Sequence, residues 1–92
     1  MQSLIQLSGL GPNSVALLSR VGIYNVSQLR ETGAAAAYVA VLRSGQKASL
    51  NLLWAIEGAL TERPWQQVAR EDRLRLLLAV DDFIHSQDFS KK

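Results

Sequence analysis

Glycines recur through the first half of this chain, at Gly9 and Gly11, then Gly22, Gly33 and Gly45, and each borders a segment of helical apolar periodicity. Punctuation at this spacing admits short helices joined by tight turns and excludes long ones. Gln2 to Leu7 fits a short first helix. Pro12 suits the first position of a second, because the N–H it lacks would go unpaired there, and that helix runs to about Val21 with Gly22 just past its end. Asn25 is a natural N-cap and Gln28 stands at capping-box spacing from it, which predicts a helix over Val26 to Glu31. Ala34 to Ser44 has high helix propensity and stops at Gly45; its alanine run, 34–37, reads as plain helix filler. Ser49 caps Leu50 to about Glu62, a helix apolar on nearly every side and therefore central, with Leu53, Trp54 and Ile56 deep in the core.

Pro64-Trp65 then breaks the pattern. A last helix, from about Ala69 to Ser86, is expected to turn Leu74, Leu77, Leu78 and Ile84 inward and Arg70, Arg73, Asp81 and Asp82 outward. Asp88 to Lys92 lacks periodicity and reads as a tail. No strand alternation occurs. The expectation is an all-α, compact five- or six-helix domain with an N-terminal helix-hairpin-helix motif, comprising one domain over 1–87 and a flexible tail over 88–92.

Composition narrows the chemistry. With 48% hydrophobic and 20% charged residues, the chain has the apolar material for a real core. It has no cysteine and one histidine, His85, so neither a thiolate site nor a histidine zinc site is expected. No apolar stretch approaches the ~20 residues of a membrane span, which points to a cytoplasmic protein with no membrane partner. Phosphate-binding loops, nucleophile elbows and paired carboxylates are missing, so no enzyme, cofactor or small-molecule substrate is expected. Glu57, a carboxylate on an apolar helix, is expected to pair with an arginine and not to act as a catalytic acid. Gly58 beside it reads as a helix-crossing contact. Trp54 belongs to the core by its spacing, whereas Trp65 stays open between packing and a stacking platform for bases.

Charge is uneven. Met1 to Ile56 carries four cations and one anion, and Glu57 to Lys92 six cations and seven anions, so a polyanion meets the first half more easily, though over a thin basic footprint. In that half lies Leu7-Ser8-Gly9-Leu10-Gly11-Pro12-Asn13-Ser14-Val15-Ala16-Leu17-Leu18, which resembles the helix-hairpin-helix signature. Gly9 and Gly11 permit positive φ in a tight hairpin, and Leu10 tucks between the helices. The amides of Gly11, Asn13 and Ser14 face outward at the positive end of a helix dipole, where they can hold one phosphate oxygen. The candidate DNA-backbone site is therefore Gly9, Leu10, Gly11, Asn13 and Ser14. DNA-binding members of that motif usually carry Lys or Arg where this chain has Asn13, so the resemblance implies weak binding. Arg20 does not substitute, since ~1.5 Å of rise per residue sets it about 10 Å along the helix.

The resemblance widens through Gly22-Ile23-Tyr24-Asn25-Val26-Ser27-Gln28-Leu29-Arg30, Gly33 to Tyr38 and Leu50-Asn51-Leu52-Leu53-Trp54-Ala55-Ile56-Glu57-Gly58-Ala59-Leu60. In order, these look like the C-terminal domain of the TfoX/Sxy competence regulators. The Gly22 to Leu29 stretch also resembles the C-terminal domain of the RNA polymerase α subunit, without its second Gly-apolar-Gly hairpin. Membership of the TfoX/Sxy family implies a part in regulating competence genes and DNA transformation. Two readings of mechanism follow. The domain binds DNA backbone nonspecifically through the hairpin, or it docks on a transcription-related protein or its own copy without touching DNA.

Overall fold

The computed structural model describes Leu4, Leu7 and residues 9–89, with side chains through His85. The fold is all-α, with helices α1 (Pro12–Ser19), α2 (Val26–Thr32), α3 (Ala34–Arg43), α4 (Leu50–Thr61), α5 (Trp65–Glu71) and α6 (Arg73–Phe89). Of the expected first helix, 2–7, only Leu4 and Leu7 are described, and of the expected tail, 88–92, only Asp88 and Phe89, which continue α6; the rest lie outside the described residues.

Local chemistry sets the starts of the early helices as expected, while α1 stops at Ser19 with Arg20 as its C-cap, short of the expected Val21 and Gly22. Asn25 Oδ1 accepts the Gln28 N–H at 2.9 Å, while Gln28 Oε1 accepts the Tyr24 N–H at 2.7 Å, a reciprocal cap displaced by one residue from the usual box. Gly33 alone joins α2 to α3: its N–H donates to the Leu29 carbonyl at 2.8 Å and its carbonyl accepts from Ala37 at 3.0 Å. Its φ of 84° and ψ of 157° fall in a region open essentially only to glycine. Ser49 Oγ accepts the Asn51 N–H and starts α4.

Leu53, Trp54 and Ile56 are buried as the sequence implies, but the helix at the hub is α3, which packs against α1, α2, α4 and α6. Ala34, Ala35 and Ala37 are buried in it. The alanine run is therefore a close-packing surface and not filler, because small side chains let several neighbours crowd one helix.

The C-terminal third departs from expectation. Pro64 does not end order; its extended backbone (φ −64°, ψ 145°) is the N-cap of α5, and its carbonyl accepts from Gln67 and Val68. The single helix expected from Ala69 is divided at Asp72, whose N–H closes α5 onto the Val68 carbonyl at 2.8 Å and whose carbonyl opens α6 to Leu76 at 3.0 Å. The division sets the phase of α6. Leu76 and Val80 are buried, whereas Leu74 is 70% and Leu78 56% exposed, and Ile84 is also exposed. The run Leu74-Arg75-Leu76-Leu77-Leu78-Ala79-Val80 supplies apolar residues to several faces, and docking on α3 selects one of them. Arg73 is not simply outward: its guanidinium lies 6.0 Å from the centre of the Trp54 ring, within cation–π range.

Candidate nucleic-acid interface

The hairpin forms because each of its residues has one conformational task. The Leu10 N–H donates to the Leu7 carbonyl at 3.3 Å, and Gly9, at φ +94°, reverses the chain through a conformation that disfavours a side chain. Leu10 is buried, so it holds the turn to the core and presents nothing to a ligand. Gly11, extended at φ −84° and ψ 173°, caps α1 with no side chain, and Pro12 occupies the first turn. Gly11 does not take the positive φ its sequence allowed, and its carbonyl accepts from Val15 at 3.1 Å. Among the described residues no oxygen accepts from the N–H of Gly11, Asn13 or Ser14. Gly11 and Asn13 are exposed and Ser14 half-buried, and among the described residues other than each glycine's chain neighbours no atom stands within 4 Å of where a Cβ would project from Gly9 or Gly11. The three open amides thus share one unobstructed end of α1, where the helix dipole adds positive potential.

Two clefts meet beside this turn. One, of about 340 Å³, is bordered by Asn13, Ser14, Ser49 and Asn51. The other, of about 910 Å³, is bordered by Arg30, Glu62, Arg63 and Gln66. Gly9, Ala55 and Trp65 border both, and Trp65 is 44% exposed there. The wall carrying Trp65 sits against α4 because Gly58 has no side chain: a Cβ on Gly58 would lie 2.6 Å from the Arg63 carbonyl oxygen and 3.5 Å from Trp65 Cα. The Arg63 N–H donates to the Gly58 carbonyl at 2.9 Å, with Glu62 in the left-handed region at φ 57° between them. Gly58 is therefore a close-contact residue, as its position implied, and what it meets is the returning chain at Arg63 and the first residue of α5.

An ion-pair network fixes that wall. Arg63 pairs with Asp72, and with Glu71 at 3.7 Å, while Arg75 reaches Glu57 at 2.7 Å and Asp72 at 2.8 Å. Glu57 is thus an arginine partner, and the network ties α4 to the start of α6. The hydrogen bonds from Arg63 and then Arg75 hold the Asp72 carboxyl below the ordinary carboxylate range. With Arg63 matched by Asp72, the rim keeps one cation, Arg30, and one anion, Glu62, and is close to neutral. Arg30, exposed and without an ion pair among the described residues, is its uncommitted cation. Arg20 lies at the far end of α1, where it reaches Gln46 at 3.4 Å.

Gly9 to Ser14 form the turn that their sequence implies, whereas nothing in the sequence analysis placed Arg30, Arg63 or Asp72 beside it. Asp72 had a usable signal, since Asp is a preferred helix N-cap. Arg30 had none, because only the packing of α2 beside the turn brings it to the cleft. Among the described residues no group of three or more His, Cys, Asp or Glu could hold a metal ion, and no helix is long and apolar enough to cross a membrane.

The family model described as the TfoX C-terminal domain matches residues 1–80. A curated relative, the DNA transformation protein TfoX of Haemophilus influenzae, is 37% identical over 65 residues, covering 71% of this chain and 30% of the relative. The chain thus spans less than a third of the length of that protein. No solved structure matches.

Proposed function

The chain belongs to the TfoX C-terminal domain family, and from that premise we propose that it is a non-enzymatic regulatory module of DNA transformation that contacts DNA backbone through Gly9, Gly11, Asn13 and Ser14. The observation carrying the proposal is the set of amides at the N-terminus of α1 that have no acceptor among the described residues. Backbone amides reach phosphate oxygens and read no base edges, so binding is weak and indifferent to sequence. Asn13 in place of a cation, together with a nearly neutral rim, keeps the affinity low.

Fluorescence anisotropy at low salt tests this. Duplexes of unrelated sequence should bind alike, with a slope of log K against log salt of about −2 to −4 for the few phosphates involved. Asn13→Lys should tighten binding and steepen the slope by about one unit. Absence of duplex binding by both folded proteins overturns the proposal. The second reading, docking on a transcription-related protein, is favoured by the exposed Leu74 and Leu78 on α6, an apolar pair of the kind protein interfaces cover.

A further inference from the structure

Trp65 has no task in the hairpin reading. It begins α5, its backbone is pinned against Gly58, and the residue is 44% exposed while Trp54 is 3% exposed. A large apolar side chain exposed on an anchored backbone is a prepared contact, since an aromatic ring has few rotatable bonds to fix on binding. Its neighbours name the contact. On one side are the open amides of Asn13 and Ser14, and on the other the uncommitted Arg30, with Gly9 and Ala55 bordering both clefts at the junction. The order along the groove is open amides, aromatic face, and a cation, Arg30, which shares its cleft with the Glu62 carboxylate. A nucleic-acid strand repeats phosphate and ring in this manner. A peptide backbone brings no charge to either end.

We propose that the groove joining the two clefts binds single-stranded nucleic acid, with a base stacked on Trp65 and phosphates held at the α1 amides and at Arg30. The phosphate site at the α1 amides rests on the hairpin reading; the stacking site and Arg30 do not. Small residues at Ala55, Gly58 and Ala59 line the larger cleft and leave it open to a planar ring. A duplex cannot use this site, because its bases are already stacked and show only their edges, whereas a single strand can turn a base onto an aromatic face.

The test titrates a short oligothymidylate, and a duplex of equal length, into the whole chain at low salt, following tryptophan emission and anisotropy. Single strand should bind tighter than duplex and quench Trp65. Trp65→Ala should weaken single-strand binding roughly 5- to 150-fold, the range of one base stack, while duplex binding stays unchanged. Arg30→Gln should make the single-strand salt slope shallower by about 0.7. If circular dichroism shows Trp65→Ala to be misfolded, Trp65→Phe replaces it and should lose the quenching while keeping part of the affinity. Equal binding of strand and duplex, with Trp65→Ala behaving as wild type, overturns this proposal and leaves the hairpin reading standing. Binding of duplex alone does the same. Failure of both nucleic acids to bind removes both and leaves the groove to a protein.

Discussion

Replacing Gly58 with alanine separates two physical effects of opposite sign. In an unobstructed helix interior the change stabilises by about 1 kcal/mol, since glycine loses more backbone freedom on folding than alanine. Here the added Cβ would stand 2.6 Å from the Arg63 carbonyl oxygen, and the obstacle is backbone, which cannot swing aside as a side-chain tip does. Relief requires the 61–65 turn to move off α4. That motion stretches the Arg63 N–H bond to Gly58, at 2.9 Å, and loosens the pairing of Arg63 with Asp72. Overpacking of this type costs about 1–3 kcal/mol and the weakened bond about 1, so after the propensity gain the net is a loss of about 1–3 kcal/mol. For a domain of this size each kcal/mol lowers Tm by roughly 4–8 °C. Thermal and urea melts followed by circular dichroism read it directly. A variant more stable than wild type by the propensity gain would refute the close approach of the turn to α4, and with it the placement of Trp65.

Trp54→Ala should cost about 3–5 kcal/mol, the range for large aromatic truncation in a core; the urea midpoint checks it, and an unchanged midpoint would contradict the burial. Asp72→Asn should lower stability at neutral pH. Because the folded pKa of Asp72 lies below its unfolded value, its contribution is present above about pH 4 and fades as pH falls through the folded value. Urea midpoints of wild type and variant should therefore converge in acid, and a gap that persists there would mean the residue acts through packing alone.

How much was legible follows from where the deciding information lies. The caps at Asn25 and Ser49, the stops at Gly22, Gly33 and Gly45, and the turn at Gly9 to Ser14 are set by neighbours a few residues apart, so the sequence carries them openly. The phase of α6 is not local. Leu74 and Leu78 have the same apolar character as Leu76, and only the surface of α3, together with the helix restart at Asp72, decides which is buried. Pro64 misled because proline both breaks helices and begins them, and the Trp65 wall that makes the second role possible depends on Gly58, six residues upstream. The groove was invisible for the same reason: residues of α2, the N-terminal hairpin, α4 and the turn after it come together only in the fold.

The measurement that bears most directly on the DNA reading is a two-dimensional amide spectrum recorded through a duplex titration at low salt. Contact at the end of α1 predicts that the largest shifts fall on the amides of Gly11, Asn13 and Ser14, that duplexes of unrelated sequence move the same set, and that added salt reverses them. Shifts confined to α6 around Leu74 and Leu78, or a spectrum that duplex leaves unchanged, would contradict it.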